Sequence, residues 1–126
     1  MQQAKPRPVF LNLTQIRLPV AGVMSIIHRV TGVVMVLSVP LLIYLLDLSL
    51  SGAEGFDCAT TLFASLPAKL MLFLFLWGLM HHLLAGIRYL LIDIEIGVEK
   101  PLFRQTAWAV IAAAPLLALT LTGGLL

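Results

Sequence analysis

The chain has 126 residues, 60% of them hydrophobic and only 11% charged, with a formal net charge of +2 and a mean hydropathy of +1.04. An ordinary soluble domain carries roughly 25% charged residues, and one this small buries only about two-thirds of its surface, so water is excluded as the solvent of the whole chain. The composition also excludes a disordered chain, a secreted enzyme and a disulfide scaffold; the small, scattered positive charge argues against nucleic acid as a partner, and the lone Cys58 reads as an inert loop thiol.

Three runs free of Lys, Arg, Asp and Glu organise the chain: Val30 to Leu46, Leu70 to Ile87, and Gln105 to Leu126, of 17, 18 and 22 residues. A helix needs about 20 residues to cross about 30 Å of hydrocarbon, so the first two runs must extend past the charges at their ends. The first predicted helix is Met24–Ser49, with Pro40 inside it as a kink. Ser51–Gly55 follows as a turn. The second helix is Leu66–Ile92, and the third is Arg104–Gly123, kinked at Pro115. Each run is apolar all round, without the period-two alternation of a transmembrane barrel. The expectation is a single all-α membrane-anchor domain over residues 1–126 with three transmembrane helices.

Lys5, Arg7, Arg17 and Arg29 precede or open the first span, and Arg88, Lys100 and Arg104 lie around the second loop, against Lys69 alone on the other side. That bias places the N-terminus in the cytoplasm and the C-terminus outside, in the periplasm of a bacterial inner membrane. The first apolar run is preceded by 29 residues and exceeds the roughly 7–15 residues of a signal-peptide core, so no cleavage is expected.

Polar groups inside apolar helices are costly and mark interiors, cavities or cofactors. Gly78, His82, Gly86 and Tyr89 share an arc of about 80° on the second helix. The stripe can hold a flat macrocycle, since haem iron takes axial histidine, or it can be a small-residue helix contact with His82 as polar glue. His81 points about 100° away, toward the Arg88 face, and reads as structural or partner-facing. On the first helix, Ser25 and Arg29 are one turn apart, with His28 and Gly32 beside them. A hydroxyl and a guanidinium there can hydrogen-bond a carbonyl or an anion, or can be an N-terminal serine beside a snorkelling arginine. Arg88, Tyr89 and Asp93 close the second helix. They form either an interfacial tyrosine with an Arg–Asp pair, or one polar pocket with Ser25 and Arg29.

The sequence Ser25-Ile26-Ile27-His28-Arg29-Val30-Thr31-Gly32, together with His82, Gly86-Ile87-Arg88 and Asp93, resembles the cytochrome b subunits of succinate dehydrogenase, the larger membrane anchors of respiratory complex II. Arg7-Pro8-Val9 and Ile16-Arg17-Leu18-Pro19 are similar to the bacterial members, so the resemblance covers the whole chain. It implies half of a helical bundle, completed by a second small anchor subunit, with iron–sulfur and flavoprotein subunits oxidising succinate in the cytoplasm. It implies haem b shared between the anchors, with His82 as one axial ligand and the partner anchor supplying the other. His28, Arg29 and Tyr89 would lie at the propionates, and Ser25 and Arg29 at ubiquinone. The family usually has His where Tyr89 stands. Two rival readings are a haem-free quinone-binding anchor of the fumarate reductase type, with His82 structural, and a purely structural membrane subunit.

Overall fold

The computed structural model describes residues 17–125. Lys5, Arg7, the Arg7-Pro8-Val9 motif and Ile16 lie outside the described residues. Among the described residues the architecture is four helices and no strand: α1 (Val20–Leu50), α2 (Ala53–Ala64), α3 (Leu66–Asp93) and α4 (Leu102–Leu125). At 1.5 Å per residue, α1, α3 and α4 are about 46, 42 and 36 Å long, and all three are apolar enough to cross a membrane.

The three spans are where the uncharged runs predict them, but each is longer. α1 begins four residues earlier than expected because Pro19 takes the cap position, its carbonyl accepting from the Gly22 and Val23 amides. Ser65 caps α3, its hydroxyl accepting from the Ala68 amide at 3.4 Å, with proline in the first turn where no amide is needed. Pro40 and Pro115 both sit inside continuous helices.

The predicted turn at Ser51–Gly55 is corrected. The chain reverses over Ser51 and Gly52, where Gly52 adopts φ 124°, and α2 starts at Ala53 with Glu54 in its first turn. Gly55 is thus helical, and its missing side chain is required. A Cβ there would collide with the Leu48 carbonyl and the Ser51 hydroxyl, so glycine lets α2 fold back on the end of α1. Cys58 accordingly lies on the exposed side of a helix, not in a loop.

α3 is the central element and packs against α1, α2 and α4. Its buried positions Leu76, His81, Ala85 and Arg88 recur at near-helical spacing, as do Ala107, Val110, Ala114 and Ala118 of α4. Ala85 packs with Ala107 and Val110, and such small residues let the backbones approach closely, which matters where lipid removes the hydrophobic drive for helix association. By contrast, the most apolar stretch of α1 has no buried residue, and Val36 and Leu37 are 71% and 72% exposed. That face of α1 is left for lipid or another protein.

Arg88 does not pair with Asp93. Its buried guanidinium crosses to the start of α4, where Nε donates to Thr106 Oγ1 at 2.9 Å and Nη2 to the Phe103 carbonyl at 2.8 Å. The group also lies 4.5 Å from the centre of the Phe103 ring. These contacts pin the end of α3 to α4. Hydrogen bonds from a charged donor stabilise by about 1.5–3 kcal/mol. Arg88→Met should therefore lower the thermal midpoint of the detergent-solubilised protein. Arg88→Lys should not restore it, because an ammonium lacks the planar fork that serves both acceptors while stacking. A midpoint unchanged in both variants would remove Arg88 as the pin.

Candidate functional site

The site lies where α1 crosses α3. The two helices run in opposite directions, and the crossing brings His28 against His82, with ring centroids 4.1 Å apart and planes inclined by 10°. Tyr89, two turns along α3 from His82, meets His28 edge-on at 5.2 Å. His82 Nδ1 lies 3.0 Å from the His28 backbone carbonyl and 3.5 Å from Thr31 Oγ1. A carbonyl only accepts, so Nδ1 carries the proton of this bond. In the neutral ring, Nε2 then keeps its lone pair. A backbone carbonyl that fixes the tautomer and orientation of a histidine is the usual support of a metal-ligating imidazole.

Glycine makes the crossing possible. A Cβ on Gly32 would sit 2.9 Å from His82 Cε1, closer than atoms tolerate. Gly78 lies against the Thr31 side chain and Gly86 against His28 Nε2, at ordinary contact distances from where a Cβ would be. The bare stripe on α3 is therefore used by α1, which packs into it. The open space is at the edge of the crossing instead. A groove of about 470 Å³ is lined by His28, Arg29, Gly32 and His82 at one end and by Val33, Val36 and Leu37 at the other.

Ser25 and Arg29 lie one turn apart as their spacing requires, with Arg29 Nη2 donating to Ser25 Oγ at 3.5 Å. The arginine uses the serine oxygen as acceptor, so the hydroxyl proton remains available to a further acceptor. Arg29 is exposed and Ser25 half-buried. Tyr89 is half-buried, yet its hydroxyl oxygen is fully buried and has no hydrogen-bond partner among the described residues. An unpaired buried hydroxyl costs about 1–3 kcal/mol, which makes Tyr89 the unexplained group of the site.

The structure divides the polar cluster at the end of α3. Tyr89 joins His28, whereas Arg88 turns to α4 and takes no part in a pocket with Ser25 and Arg29. His81 is 1% exposed and turns to α1, its Nε2 3.4 Å from the Met24 carbonyl. Thr31 is the residue that sequence reasoning missed. It is buried, its hydroxyl donates to the Ile27 or His28 carbonyl at 2.9 and 3.0 Å, and it touches His82. Its place three residues after His28 was a visible signal, since that spacing puts both on one face.

Residues 3–121 match the family described as succinate dehydrogenase/fumarate reductase transmembrane subunit. The chain is similar to the succinate dehydrogenase cytochrome b556 subunit of Coxiella burnetii, 35% identical over 118 residues, covering 93% of this chain and 94% of that one. It is also similar to the b556 subunits of Paracoccus denitrificans, 33% identical over 112 residues (89% and 86% covered), and of Rickettsia prowazekii, 30% identical over 115 residues (91% and 90% covered).

The crossing geometry yields a test that uses two glycines. Gly32→Ala should force α1 and α3 apart at His82 and lower the thermal midpoint. Gly123→Ala, at a helical position with no atom near the added Cβ, should leave it unchanged or raise it slightly. Equal behaviour of the two variants would show that the close approach at Gly32 is not a constraint.

Proposed function

Because the chain belongs to the succinate dehydrogenase/fumarate reductase transmembrane subunit family, we propose that residues 1–126 form one membrane-anchor domain of a succinate:quinone oxidoreductase in the bacterial inner membrane. In this reading a flavoprotein and an iron–sulfur subunit oxidise succinate on the cytoplasmic side. A second small anchor subunit covers the exposed face of α1, and the two anchors share haem b and form part of the site that reduces ubiquinone. The N-terminus faces the cytoplasm and the C-terminus the periplasm, which the seven-to-one distribution of Lys and Arg supports.

The observation that carries the reading is the His82 ring. Its Nδ1 is committed to the His28 carbonyl, its Nε2 keeps a lone pair, and it lies at the rim of a groove with a polar end and an apolar end. These residues fit a haem with one carboxylate-bearing edge. His82 would hold the iron through Nε2, with a histidine of the other anchor supplying the second ligand. Val33, Val36 and Leu37 would line the apolar part of the macrocycle. His28, Arg29 and the unpaired Tyr89 hydroxyl would serve the propionates, and a propionate oxygen is the acceptor that the buried hydroxyl lacks. When bound, haem b supplies a one-electron relay whose potential is set by its axial ligands and surroundings.

Ser25 and Arg29 form the quinone end of the proposal. A quinone carbonyl gains negative charge on reduction, and donors already aimed at that oxygen stabilise the charge as it develops. The Ser25 hydroxyl can donate one hydrogen bond, while Arg29 holds the serine oxygen and keeps a permanent positive charge one turn away.

Two experiments test the proposal in the assembled complex. His82→Ala should weaken haem retention and abolish the low-spin, two-imidazole absorbance spectrum, while His81→Ala should keep that spectrum. The reverse pattern would transfer the ligand role to His81. Ser25→Ala barely changes volume, so assembly should survive. Quinone reductase activity should fall by an amount worth about 1–3 kcal/mol, while succinate oxidation with a soluble artificial acceptor continues. Equal loss of both activities in membranes with equal amounts of complex would make Ser25 a structural serine.

A further inference from the structure

A second cavity lies at the start of α1 and shares no residue with the His82 groove. Its volume is about 840 Å³, and it opens between the start of α1 and the start of α4. Lys100, Arg104 and Gln105 supply its polar lining, Val20, Phe103 and Trp108 much of its apolar wall, and among the described residues no carboxylate lines it. We infer that this cavity seats the phosphate of an anionic phospholipid, with Lys100 and Arg104 as its counter-ions.

Three features select that occupant. The first is charge. A cavity with two cations, a carboxamide and no acid complements an anion, and a guanidinium paired with an ammonium suits a phosphate. The second is depth. The lining comes from the ends of two membrane-spanning helices, which puts the cations at the level of lipid headgroups. Basic pockets between spans at that level recognise anionic headgroups. The third is the wall. Trp108 stands one turn beyond Arg104 on α4 and is 56% exposed, the position of an interfacial aromatic anchor. Beyond it the exposed surface of α4 is apolar, with Leu116 and Leu119 outside, so an acyl chain can continue along it. A free phosphate would gain nothing from that wall. A polar protein surface would leave Trp108 and the apolar lining poorly matched.

The inference needs only the three spans, so its failure and that of the haem and quinone reading are separable. The test uses the whole complex, extracted from membranes in mild detergent, with retained phospholipids identified by native mass spectrometry. Wild type should keep a phosphatidylglycerol-class anionic lipid. The double variant Lys100→Gln, Arg104→Gln should retain it roughly thirtyfold less, while Lys69→Gln, on the opposite side of the membrane, should retain it fully. As a second measurement, adding phosphatidylglycerol vesicles should raise the thermal midpoint of delipidated wild type above that with phosphatidylcholine vesicles, and the double variant should lose this difference. Unchanged retention in the double variant would overturn the proposal. So would equal stabilisation by inorganic phosphate, which would mean a free-anion site. Loss of a partner subunit with the lipid retained would overturn it in favour of a protein interface.

Discussion

The hydrogen bond from His82 Nδ1 to the His28 backbone carbonyl depends on how closely α1 and α3 approach, and Gly32 sets that approach. With any larger residue at position 32 the imidazole would have to move, and with it the stacking on His28 and the contact of His28 with Tyr89. One glycine thus allows three side chains from two helices to form a single cluster. Inside a membrane such a cluster is stringent, because water is not available to satisfy a group that misses its partner.

The same crossing separates two kinds of polar residue that look alike in the sequence. His81, Arg88 and Thr31 have their hydrogen-bonding groups turned to atoms of this chain, at Met24, Phe103, Thr106 and the α1 backbone. His81 and Arg88 tie α3 to its neighbours, and Thr31 bonds its own helix. His82 Nε2, the Ser25 hydroxyl proton, Arg29 and the Tyr89 hydroxyl keep bonding capacity that no described residue uses. These groups lie beside the uncovered apolar face of α1, and the proposed haem and quinone are what would use them.

The three spans were legible because length and charge exclusion act on each helix alone. Their ends were less so, since Pro19 can cap a helix as well as precede one. α2 was not legible: Ser51–Gly55 has the composition of a turn, and only the fold-back onto Leu48 explains a glycine inside that helix. The pairing of Ser25 with Arg29 followed from one-turn spacing. The destinations of Arg88 and of the Gly78–Gly86 stripe did not, because their partners on α4 and α1 are distant in sequence and a helix face does not announce its neighbour. Thr31 was overlooked for a related reason. A threonine bonded to its own helix is inconspicuous until another helix brings a histidine to it.

The central claim is that the free Nε2 edge of His82 serves a haem shared with a second anchor. The most direct measurement is the reduced-minus-oxidised absorbance spectrum of the purified wild-type complex, with haem and this chain quantified in the same sample. The account predicts a low-spin b-type spectrum at one haem per chain. A fully assembled, quinone-reducing complex with no haem absorbance would contradict it and leave His82 as a structural link between α1 and α3.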